Sequence, residues 1–295
     1  MSFPSEPADT MPVPRWSTSP SDLALSKDEV HVWRAPLDLP DIRIGALRET
    51  LNEEELQRIG RFRFSRHRRR FTVARGILKG LLAGYLQKPA ARIGFEYNQY
   101  GKPFLKSDKS APRARTDDPW DGPIEFNVSH SGEMALYAFS RNRRVGIDLE
   151  WTQRGIDDSE RIVERFFSPR EFAVFSRLPE YQKRTAFFGC WTRKEAYIKA
   201  RGRGLSIPLD QFEVIPIPGE TRCPARCHES EGMSENQDRT TSVIHFLSDI
   251  FTLTADNDPQ HGVCWEMRTF TAGHDYLASL VVEGQGWGTR YWQWK

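Results

Sequence analysis

Long apolar runs are missing from this 295-residue chain. None approaches the roughly 20 consecutive apolar residues that a membrane-spanning helix needs, so a protein off the membrane is expected. An excess of one charge is missing too. The formal net charge is +2, which leaves no global field for a polyanion and turns attention to local clusters. Cysteine is scarce: four residues, at 190, 223, 227 and 264. That spacing gives neither a disulfide framework nor a paired C-x-x-C zinc pattern, and "CPARCH" misses the haem-attachment spacing. Reduced thiols in a cytoplasmic protein are the expectation. The opening stretch "MSFPSEPADTMPVPRWSTSPSD" lacks the charged-then-apolar order of a secretory signal. Its Ser and Pro content predicts poor order. Walker A, protein-kinase and G-x-S-x-G signatures are absent as well, which removes the common ATP-handling loops and the α/β-hydrolase elbow.

What is present alternates between helix and strand signals. "DEVHVWRAPLD" reads as a strand. Asn52 with Glu55 three residues on marks a helix start. In "RRRFTVARGILKGLLAGYLQ", Phe71, Ala74, Leu78, Leu81 and Tyr85 form an apolar helical face. "IGFEYNQYGKPFL" predicts a tight hairpin with Gly101 at its turn. "IEFNVSH", "MALYAF" and "VGIDLE" follow as strands. Ser168, Pro169 and Glu171 open another helix, and a longer one runs from about 180 to 200 before Gly202 and Gly204. "FEVIPIP", "VCWEMRTF" and "YLASLVVE" predict further strands. Hairpins and helices without repeated strand–helix–strand units predict an α+β fold. Each half runs strand, helix, hairpin, which hints at two related lobes. The division expected is an extension over 1–28, a first lobe over 29–143 and a second over 144–295, with an irregular excursion near 218–243.

Four clusters carry candidate chemistry. In "VGIDLE", alternation on a strand puts Asp148 and Glu150 on one face with Gly146. Two such acids suit Mg²⁺, which takes few carboxylates and completes its shell with water or phosphate. A solvated outer face is the plainer alternative. In "WTRKEAYIKA", Trp191, Glu195 and Lys199 share a helix face. Glu195 is then a third carboxylate and Lys199 a phosphate partner, against a plain surface Glu–Lys pair. In "FNVSHSG", Asn127, Ser129 and His130 are suited to an anion; a Ser/His hydrolase is disfavoured because adjacent strand residues point apart. Lys102, Arg66 and Arg75 supply cations for several phosphates. Here a solvated helix face or a nucleic-acid contact is the alternative, although the near-neutral charge and the lack of a nucleic-acid motif argue against the latter. Acids for a divalent cation, bases for phosphates and a histidine are the inventory of phosphoryl transfer.

Taken in order, "GKP" at 101–103, "FNVSHS" at 126–131, "GIDLE" at 146–150 and "WTRKEAYIKARGRGLSIPL" at 191–209 resemble the 4′-phosphopantetheinyl transferase superfamily, in its larger, Sfp-like form. The resemblance spans about residues 30–285; the extension, the 106–122 loop and residues 218–262 match poorly. It implies two similar lobes related by a pseudo-twofold, with the active site in the cleft between them, in a monomer. It implies transfer of the phosphopantetheine arm of coenzyme A to a serine of an apo acyl or peptidyl carrier protein, with Mg²⁺ and release of adenosine 3′,5′-bisphosphate. By resemblance Asp148, Glu150 and Glu195 hold the metal. Arg66, Arg75, Lys102, Ser129 and His130 hold coenzyme A, and Lys199 its pyrophosphate; Glu195 and Lys199 also serve catalysis. An inactive carrier- or nucleic-acid-binding relative is the alternative, and the intact acids speak against it.

Overall fold

The structure, a computed structural model, describes residues 11–20, 22–106, 122–155, 159–215, 251–254 and 263–295. The loop expected over 106–122 and the excursion with "CPARCH" fall almost wholly outside these residues.

The first half forms β1 (Ser17–Thr18), β2 (Glu29–Pro36), α1 (Asp41–Arg48), α2 (Glu53–Gly60), α3 (Ser65–Leu86), β3 (Phe95–Tyr97), β4 (Pro103–Leu105), β5 (Ile124–Ser131) and β6 (Met134–Arg141). The second forms β7 (Val145–Trp151), α4 (Ser159–Phe166), α5 (Pro169–Ser176), α6 (Glu180–Arg201), β8 (Phe251–Thr254), β9 (Cys264–Gly273), β10 (Tyr276–Glu283) and β11 (Gly288–Gln293). The α+β class expected from the sequence holds.

Two sheets carry the fold, in the orders β1-β11-β2-β6-β5 and β7-β10-β9-β8; β3 and β4 form a separate hairpin. Alternation sorts the side chains. Val30, Val32, Leu136 and Ala138 of the first sheet meet Val145, Ile147, Leu149, Ala278 and Leu280 of the second in one buried layer. The opposite face of the first sheet, with Trp33, Tyr137 and Phe139, packs on Val73, Ile77 and Leu81 of α3. The opposite face of the second, with Trp265, Met267 and Val281, packs on α6. The order of layers is helix, sheet, sheet, helix, and each outer helix is 22 residues long.

Local chemistry explains the helix ends. Asn52 and Ser168 each close a capping box, with Glu55 and Glu171 returning the bond. α6 stops where Gly202 takes a left-handed conformation, φ 66°. Three features differ from the sequence reading. Residues 212–215 form no strand; Val214 is instead fastened by its N–H to Glu171 and by its carbonyl to Arg193. Cys264 is disulfide-bonded to a residue outside those described, so the expectation of reduced thiols fails there, while Cys190 is buried and free. The Ser/Pro-rich opening is partly docked: the Pro12 carbonyl accepts from Thr271 N and Trp16 packs under Arg34, and Leu25, just past it, is buried. The last strand, β11, lies in the first sheet and runs parallel to β2.

Candidate active site

β7 is an edge strand of the second sheet, and β5 is an edge strand of the first. α6 lies across the face of β7 that carries Gly146, Asp148 and Glu150. A Cβ on Gly146 would stand 2.0 Å from the Ala196 carbonyl oxygen and 2.4 Å from the Ala200 nitrogen. The space beside the acids is therefore filled by helix backbone, and the glycine is what lets helix and strand approach. The solvated-face reading fails: Asp148 is 4% exposed and Glu150 8%.

On α6, Trp191, Glu195 and Lys199 are partly open while residues 192–194 and 196–198 are buried. That stripe is the face expected from their spacing. It brings Lys199 onto Asp148, with Nζ donating to Oδ1 at 2.5 Å and to Ser129 Oγ at 3.2 Å. Asp148 Oδ1 also accepts from Ser129 Oγ at 2.9 Å. Its Oδ2 is buried without a hydrogen-bond partner. Glu150 Oε2 accepts from Ser131 Oγ at 3.1 Å and pairs with Arg154 at 3.0 Å. Burial, then the charge of Asp148, raises the pKa of Glu150, with Arg154 opposing. Burial and Asp148 likewise raise Glu195, with Lys199 opposing. Glu150 and Glu195 thus each feel the charge of Asp148, and Glu195 has no hydrogen-bond partner among the described residues. Among those residues no three His, Cys, Asp or Glu side chains stand close enough to close on one ion.

His130 keeps an open edge on the strand that carries Ser129. Lost hydration, with the charges of Lys199 and Arg70, holds its imidazole below the ordinary value. Arg70 braces the turn beyond it by donating to the Gly132 carbonyl at 2.5 Å while pairing with Asp38 at 2.7 Å. Lys102 lies at the other end of β7. Its ammonium donates to the Val145 carbonyl at 3.1 Å and the Ala200 carbonyl at 3.3 Å, and burial lowers its pKa to about 8. Arg75 is held in a buried group: it faces Glu55 at 3.6 Å, donates to Tyr97 at 3.0 Å, and Glu55 also takes Lys79 at 3.1 Å. Arg75 Nη1 is buried without a partner. Arg66 is exposed at the start of α3.

Several side chains were missed by sequence reasoning. Arg154 follows Glu150 by four residues, a spacing that was there to read. Arg193 and Lys194, fully buried within the "WTRKEAYIKA" block, anchor the 209–214 segment through backbone carbonyls. Nothing local separates such structural cations from Lys199 except the four-residue stripe.

Comparison with known proteins gives the family. Residues 144–240 match the family "4′-phosphopantetheinyl transferase superfamily", and residues 43–142 match "4′-phosphopantetheinyl transferase, N-terminal". The chain is 35% identical to the 4′-phosphopantetheinyl transferase HetI of Nostoc sp. PCC 7120 over 279 residues, covering 95% of this chain and 98% of that protein. It is 29% identical to the 4′-phosphopantetheinyl transferase Sfp of Bacillus subtilis, over 56% of this chain and 66% of the other. It is 32% identical to the human L-aminoadipate-semialdehyde dehydrogenase-phosphopantetheinyl transferase, over 57% and 54%. This chain belongs to the 4′-phosphopantetheinyl transferase superfamily.

Proposed function

We propose that the protein transfers the 4′-phosphopantetheine arm of coenzyme A to a serine of an apo acyl or peptidyl carrier protein, in a Mg²⁺-dependent reaction, as a cytoplasmic monomer with its site between two related lobes. The observation that carries the site assignment is the buried, partnerless Oδ2 of Asp148 beside two further acids whose pKa values are raised. Such a set is short of positive charge, and hard oxygen donors fit Mg²⁺. Asp148, Glu150 and Glu195, too far apart as they stand to close on one ion, would hold it once their side chains turn together and Lys199 leaves Asp148.

A divalent cation there supplies charge neutralisation for the pyrophosphate and the departing bisphosphate. The chain's own groups do the rest. Glu195, raised in pKa and free of hydrogen bonds among the described residues, takes the proton of the carrier serine as its oxygen bonds to phosphorus and the bond to adenosine 3′,5′-bisphosphate breaks. Lys199, already beside the acids, steadies the pyrophosphate. His130 faces the coenzyme A phosphates from β5, and the partnerless Arg75 Nη1, with Lys102 and the exposed Arg66, offers further donors. The test is the intact mass of an apo carrier protein after incubation with the protein, coenzyme A and Mg²⁺. Addition of the arm is the expected result. An unmodified carrier across a panel of fatty-acid, polyketide and peptide carriers would refute the proposal.

A further inference from the structure

Among the described residues, neither β5 nor β7 has a backbone partner on the side where the two edges meet. The amides of β7 on that side are nevertheless satisfied. Ile147 N donates to Asn127 Oδ1 at 2.9 Å, Leu149 N to Ser129 Oγ at 3.2 Å, and Trp151 N to Ser131 Oγ at 2.9 Å. The offset is twenty residues at each rung, so side chains of one strand replace the carbonyls of a missing neighbour. Edge amides of this kind are otherwise open to water or to unwanted strands.

Each hydroxyl also has a proton to give, and both give it to an acid. Ser129 donates to Asp148 at 2.9 Å and Ser131 to Glu150 at 3.1 Å. The same unit therefore occurs twice: one serine accepts from the amide after a carboxylate and donates to that carboxylate. At the first rung the corresponding position is Gly146, where α6 fills the space. Ser129 accepts in addition from Lys199, so its single donor and both lone pairs are used, and none is left for a phosphate without breaking a bond of this unit.

We infer that Asn127, Ser129 and Ser131 are positioning residues, a side-chain ladder that locks the β7 edge and fixes Asp148 and Glu150 in the orientation that receives the cation. Ser131 thereby gains a role, and Ser129 acts through Asp148 and Lys199 rather than as a direct contact to coenzyme A. The inference rests on the proposed metal role of the acids. A hydroxyl bonded to a carboxylate is a stronger restraint than a neutral pair, and a serine can hold amide and acid in one fixed relation because both bonds meet at one atom.

Ser131→Ala, Ser129→Ala and Ser131→Thr test this, with two readouts that need no turnover. The first is hydrogen exchange of the peptide over 147–152; the second is Mn²⁺ affinity by titration without coenzyme A. Ser131→Ala should keep a near wild-type melting temperature, speed exchange at Trp151 several-fold, and weaken Mn²⁺ binding roughly tenfold. Ser131→Thr should restore both. Unchanged exchange in both alanine variants would overturn the ladder. Faster exchange with unchanged Mn²⁺ affinity would overturn the positioning role. Loss of coenzyme A affinity in Ser129→Ala without divalent cation, at normal Mn²⁺ affinity, would return Ser129 to a ligand contact. A wild-type protein that binds no Mn²⁺ while modifying carriers would instead overturn the metal assignment beneath the inference.

Discussion

Gly146→Ala isolates the contact that brings strand and helix together. The added methyl would lie 2.0 Å from the Ala196 carbonyl oxygen and 2.4 Å from the Ala200 nitrogen. Both are backbone atoms inside α6, so no side chain can turn aside. Reaching an ordinary contact of 3.4 Å requires α6 and β7 to part by about 1.4 Å. Overpacking of this kind costs roughly 1–3 kcal/mol. The larger effect falls on chemistry. Glu195 and Lys199 ride on α6, flanking the contact, while Asp148 and Glu150 ride on β7. A misplacement of about 1 Å between reacting groups lowers rate on the order of a hundredfold. The variant is measured by thermal melting and by single-turnover modification of an apo carrier, with circular dichroism as the check on fold. A modest fall in melting temperature with a drop in turnover of about two orders of magnitude is the expected outcome. Wild-type turnover at an unchanged melting temperature would show that the approach of α6 to β7 does not set the site.

Three further outcomes follow from the same geometry. Glu195→Gln should lose turnover by roughly 10²–10⁴-fold. Because the folded pKa of Glu195 lies above its ordinary 4.5, the wild type loses stability as pH rises through that window. The metal-free variant should therefore melt higher than wild type at pH 7, the gap closing below about pH 4.5; a variant less stable at pH 7 contradicts this. Lys102, lowered to about 8 by burial, should make coenzyme A affinity fall as pH climbs past that value. Lys102→Met should bind more weakly at pH 7 and lack that limb, whereas parallel profiles would place Lys102 outside the ligand site. Deleting residues 1–25 removes Trp16 from Arg34 and the buried Leu25. It should cost at least about 2 kcal/mol and lower the melting temperature while sparing turnover of the folded fraction; an unchanged melt would show the docking to be negligible.

The helices were legible because their signals are local. Asn52 with Glu55 and Ser168 with Glu171 form the boxes their spacing announces, and Gly202 caps α6 where expected. The stripe Trp191, Glu195, Lys199 was legible for the same reason, since helical periodicity needs no knowledge of the partner. What failed depends on partners far along the chain. The missing side chain of Gly146 reads as free space until α6 is placed over it. Asn127 and Ser129 read as anion-binding groups until β7 is found at their side. β11 pairs with β2 across more than 250 residues, as Arg34 and Gln293 show, and no periodicity encodes that. Residues 212–215 look like a strand by composition. They are held instead against Lys194, Arg193 and Glu171, whose charges satisfy the loop backbone that a sheet would otherwise take.

The most direct test of the central claim is the anomalous scattering of Mn²⁺ in crystals of the protein with coenzyme A. The account predicts one strong peak within coordination distance of Asp148, Glu150 and Glu195, with a pyrophosphate oxygen in its shell and Lys199 moved from Asp148 to the pyrophosphate. A peak held by other residues, or coenzyme A bound with Lys199 still on Asp148 and no metal beside it, would contradict the account.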